Sequence, residues 1–315
     1  MLAILAPGQG AQSPGMLTPW LEIPGVAEEM ATFGEAAGLD LTAHGTTSDA
    51  DTIRDTAIAQ PLLVATSLVA LRALLAGRDA ADVAGVTAGH SVGEFAAAAV
   101  AGVLTDASAV ELVSQRARLM AEAAAANPSG MAAVLGGDPQ EVTAAIEAAG
   151  AWPANVNGGG QVVAAGSHEA IAALAAQPPA KARVMPLQVA GAFHTPLMAS
   201  AGEAFARVVE HWPAAPPRMR LLTNADGSAF LPHGEGVGNE VLARLAGQIT
   251  SPVRWDLCQE TMRALGVTGI IELAPGGVLS GLARRVLPDV PRVAIKSPAD
   301  LESAAAMITD TTGER

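Results

Sequence analysis

The chain has 315 residues, half of them apolar, enough to bury a large core in one domain or in one domain that carries an insert. Its formal net charge of -13 excludes nucleic acid and an anionic membrane surface as principal partners unless a local basic patch forms. The single cysteine, Cys258, excludes an internal disulfide and suits a reducing cytoplasm.

Met1 to Ala6 carries no basic residue and is broken by Pro7, which argues against a signal peptide. Leu2 to Ala6 reads instead as a buried first strand that ends in the tight loop Pro7-Gly8-Gln9-Gly10. Gln9 then lies at a strand's carboxyl end, where open α/β sheets bind ligands, or it simply bonds its own loop; the sequence leaves both open. Short helical patterns fill residues 16 to 60. A helix is expected from about Gln60 to Leu75, and the apolar stretch Pro61 to Gly77, interrupted by Arg72, reads as too short for a membrane span and therefore as a core helix.

Val83 to Ala88 is the next apolar run, followed by Gly89-His90-Ser91-Val92-Gly93 and an alanine-rich helix from Glu94 to Val100. This is a G-x-S-x-G elbow with a strand before it and a helix after it, the context that lifts a serine Oγ clear of the sheet. A glycine-flanked serine also closes ordinary strand-helix turns, so the motif by itself is not decisive. Asp106 opens a helix running to about Ala125, with Ala109, Leu112, Val113, Ala117, Leu119 and Met120 on one face and Glu111, Gln115, Arg118 and Glu122 opposite. Arg116 falls in the middle of the apolar face, and a buried guanidinium needs either an internal carboxylate or an anionic ligand.

From Gly130 to Pro186 the order is strand, helix, strand, strand, helix, strand, with Asn157-Gly158-Gly159-Gly160 as the central turn. That is the order of a ferredoxin-like unit, expected as a small subdomain of residues 128–190 inserted into a larger one made of 1–127 and 191–315. A cleft between two such bodies is a common ligand site. Gly191-Ala192-Phe193-His194 follows directly, which makes His194 the best-placed base for Ser91. Strands at Arg218 to Thr223, Gly269 to Leu273 and Arg292 to Ile295 alternate with helices at about Asn239 to Gln248, after Pro252 and from Val278 to Val286, the pattern of a mostly parallel sheet. The tail from Thr309 is expected to fray.

Six stretches, in order, resemble the malonyl-CoA:acyl-carrier-protein transacylases over nearly the whole chain. They are Pro7-Gly8-Gln9-Gly10-Ala11-Gln12, Gly89-His90-Ser91-Val92-Gly93-Glu94, Arg116-Ala117-Arg118-Leu119-Met120, Gly191-Ala192-Phe193-His194, Pro252-Val253-Arg254-Trp255 and Glu272-Leu273-Ala274-Pro275-Gly276-Gly277. The resemblance implies an α/β fold with an α/β-hydrolase-like large subdomain, a ferredoxin-like small one and a ping-pong transfer from malonyl-CoA to an acyl carrier protein. It also implies that Ser91 is the nucleophile, His194 the base and Arg116 the ligand of the malonyl carboxylate. The backbone N–H groups of Gln9 and Val92 would form the oxyanion hole, and the main-chain carbonyl of Gln248 would orient the histidine. CoA and phosphopantetheine are then substrates, so no cofactor and no metal are expected.

A Ser-His pair steadied by a carbonyl removes a difficulty, because the only aspartates between Ser91 and His194 are Asp106, which opens a helix, and Asp138, inside the insert. Phe193 has the bulk associated with excluding an α-methyl branch, whereas Gly191 departs from related modular synthase domains, which often carry histidine there. The rival readings are a serine thioesterase or esterase with the same nucleophile and a non-catalytic carrier-binding domain. A cytoplasmic monomer with no membrane or nucleic-acid partner is expected.

Overall fold

The structure, a computed structural model, describes residues 1–312; residues 313–315, the end of the expected large subdomain, lie outside the described residues. The strands in chain order are β1 (Leu2–Ala6), β2 (Val86–Gly89), β3 (Ser129–Gly136), β4 (Trp152–Gly158), β5 (Gln161–Ser167), β6 (Ala182–Leu187), β7 (Arg220–Leu222), β8 (Ala229–Phe230), β9 (Val253–Arg254), β10 (Gly269–Glu272) and β11 (Arg292–Ala294). Six of them form a sheet in the order β11-β10-β1-β2-β7-β8, parallel except for the antiparallel pair β7/β8. β1 is apolar at every position because the sheet is covered on both faces: Leu2, Ile4 and Ala6 join one core while Ala3 and Leu5 join the other.

The helix Thr56–Leu75 lies in the larger of those cores, packed along the helix Asp106–Ala126. It starts four residues before the expected Gln60, because the Asp55 side chain caps it by accepting from the Ala57 N–H and Pro61 sits inside it. At 20 residues it is long and apolar enough to cross a bilayer, so the reading of this stretch as too short does not hold; most of it is nevertheless buried in the protein. The helix Leu301–Thr312 likewise runs on through Thr309, where fraying was expected.

A second sheet has the order β6-β3-β5-β4-β9. Its first four strands are antiparallel and come from one continuous segment, in which the helices Pro139–Ala148 and His168–Ala176 follow β3 and β5. Both helices pack on one face of that sheet through Val142, Ile146, Ile171 and Leu174. The fifth strand, β9, comes from later in the chain and pairs parallel to β4, at Asn155 with Val253 and Val156 with Arg254.

Candidate active site

β2 ends at Gly89 and the helix Gly93–Val100 begins four residues later, so the chain must reverse direction in a space that side chains would fill. A Cβ on Gly89 would sit 1.9 Å from the Gly93 carbonyl carbon, and one on Gly93 would sit 2.3 Å from the Ala6 carbonyl oxygen. At the apex Ser91 is held in the left-handed region, at φ 52°, by its N–H donating to Asn224 Oδ1 at 2.7 Å.

Ser91 Oγ lies 2.7 Å from His194 Nε2. His194 Nδ1 is 2.8 Å from the Gln248 main-chain oxygen. A carbonyl only accepts, so Nδ1 carries the proton and Nε2 turns its lone pair to the serine hydroxyl. His194 is 4% exposed; burial first, and then the charge of Arg116, push its pKa down to about 3, against the Gln248 carbonyl, which favours the proton. At neutral pH the imidazole is therefore neutral, the state a general base requires.

Arg116 is 1% exposed, on the buried face of its helix as the periodicity requires. Nη2 donates to Gln248 Oε1 at 2.7 Å, Nη1 donates to Gln60 Oε1, and Nε finds no hydrogen-bond partner among the described residues. Cζ stands 5.6 Å from the centroid of the Phe95 ring. Burial pushes the guanidinium down to about 10, which Glu94 partly offsets, so it remains a cation at neutral pH. Of the two possibilities left open by the sequence, no carboxylate among the described residues bonds the guanidinium directly; its hydrogen-bond partners there are neutral amide oxygens.

These groups open onto one cleft of about 740 Å³, with Gln9, Ser91 and Arg116 on one side and Asn155, Asn157 and Val163 on the other. Gln9, Val92, Phe193 and His194 also line it. The backbone N–H groups of Gln9 and Val92 have no protein acceptor among the described residues, and Val92 leads into a helix N-terminus, where N–H groups converge on negative charge. The Gln9 side chain is anchored away from this position, accepting from Thr56 Oγ1 at 3.0 Å and donating to the Arg54 carbonyl at 3.3 Å. Phe193 is 6% exposed, and a Cβ on Gly191 beside it would come within 2.7 Å of Ala124 Cβ, which explains why this chain has no side chain there.

Sequence reasoning missed Gln60, Glu94 and Asn224, all buried around the site. A long amide side chain, Gln60, at the head of a mainly apolar helix was a legible signal; Glu94 reads only as an acid in a first helical turn and Asn224 only as a turn residue. His90 Nε2 also meets Asn157 Oδ1 at 2.8 Å, tying the elbow to β4.

The profile of the Acyl transferase domain family matches residues 5–311. The malonyl CoA-acyl carrier protein transacylase of Mycobacterium tuberculosis is 49% identical over 310 residues, covering 97% of this chain and 99% of that protein. The enzyme of that name from Escherichia coli is 32% identical over 309 residues, covering 96% and 98%. Among solved structures, that of MCAT from Mycobacterium tuberculosis superposes with a TM-score of 0.90 at 49% identity, over 97% of this chain and 99% of that one. A malonyl-transacylase solved in complex with its type II PKS acyl-carrier protein gives a TM-score of 0.88 at 29% identity, over 97% and 99%. Similar in sequence and in fold along almost its whole length, the chain belongs to the acyl transferase family, among the malonyl CoA-acyl carrier protein transacylases.

Proposed function

We propose that the chain transfers the malonyl group of malonyl-CoA to the phosphopantetheine thiol of an acyl carrier protein, by a ping-pong route through a malonyl-serine. The observation that carries this reading is Arg116: a buried cation on the wall of the Ser91 cleft, bonded only to neutral amide oxygens, is complementary to an acyl group that ends in a carboxylate. An acetyl or long alkyl group would leave that cation without a directly bonded anion.

In the first half-reaction Ser91 Oγ attacks the thioester carbonyl as its proton passes to His194 Nε2. The backbone N–H groups of Gln9 and Val92 receive the negative oxygen, and the Gln248 carbonyl holds the imidazolium through Nδ1–H. The tetrahedral intermediate collapses with loss of the C–S bond, and His194 returns the proton to the departing CoA sulfur. In the second half-reaction the carrier's thiol gives its proton to His194 and attacks the malonyl ester, and Ser91 Oγ leaves and is reprotonated. Phe193 narrows the acyl end of the pocket against an α-methyl branch.

Residues 128–190 are read as a ferredoxin-like subdomain inserted in an α/β-hydrolase-like body of residues 1–127 and 191–315, a reading supported by the strand order β6-β3-β5-β4. No cofactor or metal has a step in this chemistry. A cytoplasmic monomer is part of the same reading: the single cysteine, Cys258, makes no internal disulfide, and of the large exposed apolar side chains Trp152, Leu231 and Val278 stand apart while Met185 and Leu187 share β6. The test is intact mass after mixing with malonyl-CoA: the wild-type chain gains one malonyl group and Ser91→Ala gains none. Labelling of Ser91→Ala overturns the assignment of the nucleophile, and loss of the label to water as fast as to the carrier thiol favours a thioesterase.

A further inference from the structure

We propose that Glu94 is a positioning residue for acyl transfer: its carboxyl group fixes the direction of the Gln248 amide and the seat of Asn224, and through them holds Arg116, His194 and Ser91 in one register. The proposal rests on the transfer reading above. Glu94 lies in the first turn of the helix that follows the elbow, is 5% exposed and does not line the cleft. Whatever it does for the reaction, it does through its neighbours.

One carboxylate oxygen accepts from the Asn224 N–H at 2.7 Å, and the other accepts from the Gln248 side-chain amide. The same Gln248 nitrogen faces the Ser91 carbonyl at 3.1 Å and Asn224 Oδ1 at 3.3 Å, while Gln248 Oε1 takes the Arg116 Nη2 donor at 2.7 Å. A reversed amide would set its oxygen against three other oxygens and its NH₂ against a guanidinium. Those three acceptors together fix the observed direction; burial pushes the Glu94 carboxyl up to about 8, so its hold on the amide is one of geometry and does not rest on a full charge at neutral pH. With the Gln248 side chain anchored at its tip, its main-chain oxygen is held where His194 Nδ1 reaches it at 2.8 Å.

Asn224 carries the second arm. Its N–H is fixed by Glu94, its Oδ1 receives the Ser91 N–H at 2.7 Å and its Nδ2 donates to the Gly89 carbonyl at 2.8 Å, so it clamps the elbow before and at the serine. Burial of a carboxyl without a direct cationic partner is costly, and here its two oxygens bond the supports of the nucleophile, the base and the anion site.

Glu94→Gln offers one acceptor oxygen where two are used, so at one of the two contacts a donor faces a donor. The expected result is a fall of about tenfold or more in kcat/KM for malonyl loading, with a fall in the malonyl-to-acetyl ratio because Arg116 loses its anchor. Gln248→Met, which keeps the carboxylate and removes the amide it aims, shifts the ratio in the same direction. The double variant falls no further than about twofold below the weaker single variant, the mark of groups acting as one unit. Wild-type rate and ratio in Glu94→Gln, equal losses for both acyl groups, or losses that multiply in the double variant overturn the proposal. Should Glu94→Gln not fold, an unchanged ratio in Gln248→Met overturns it as well. Failure of the wild-type chain to take up malonyl would instead refute the transfer reading, and the two failures are read on different proteins.

Discussion

Replacing Arg116 with alanine separates what the guanidinium does for the substrate from what it does for the fold. Its loss strips a donor from Gln60 Oε1 and another from Gln248 Oε1, a cost that malonyl and acetyl substrates share. The proposed contact with the substrate carboxylate would be made by malonyl and not by acetyl. A hydrogen bond to a charged group contributes about 1.5–3 kcal/mol, and each 1.4 kcal/mol is tenfold, so the malonyl-to-acetyl ratio of kcat/KM should fall by roughly 10- to 150-fold. A second bond from the same fork deepens the loss without doubling it, since paired contacts are not additive. The assay is covalent loading of Ser91 from malonyl-CoA and from acetyl-CoA, in wild type and variant, with the thermal midpoint as the control for folding. Arg116→Lys, which retains the charge and loses the fork, should fall between the two. Equal decreases for both acyl groups, with the ratio intact, would show that Arg116 serves only the amide network around it.

Phe193→Ser should relax the preference for malonyl over methylmalonyl, by the roughly 10- to 200-fold that one methyl group is worth in an apolar pocket; wild type accepting both alike refutes the pocket argument. With His194 pushed down to about 3, malonyl loading should show no histidine inflection in kcat/KM from roughly pH 5 to 7, and an inflection near the ordinary value of 6.5 would contradict the neutral, buried base. The same displacement acts on stability: between about 3 and 6.5 the unfolded chain holds the proton that folded His194 refuses. The contribution of this group to stability should therefore decline as pH falls through that window, and replacing His194 with glutamine should flatten the acid limb of a denaturant-midpoint titration.

The parts of the site that chemistry marks in the chain were legible: a serine between two glycines, a histidine where the chain leaves the insert, and an arginine on an apolar helix face. Their supports were not. Glu94 and Asn224 carry no local pattern that distinguishes them from a helix-capping acid and a turn asparagine, because their roles arise from contacts 130 residues apart in the chain. The same reason hid β8 and β9, two residues each, which become strands only by pairing with β7 and β4. Periodicity located the helix that carries Arg116 well, whereas Pro61 moved the expected start of its neighbour because proline reads as a beginning even when a helix absorbs it.

β9 has a wider consequence. Three residues after the 3-10 turn Gln248–Thr250, whose first carbonyl steadies His194, the chain stitches itself to β4, and β4 is also joined to the elbow by His90 and to the helix Trp255–Ala264 by the 2.8 Å bond from Gln259 Nε2 to the Asn157 carbonyl. Prising the walls apart would drag on the base itself, so the width of the cleft and the register of His194 are mechanically coupled. On the proposed transfer, CoA and the carrier's phosphopantetheine, which share a pantetheine stem, would meet the same coupled walls.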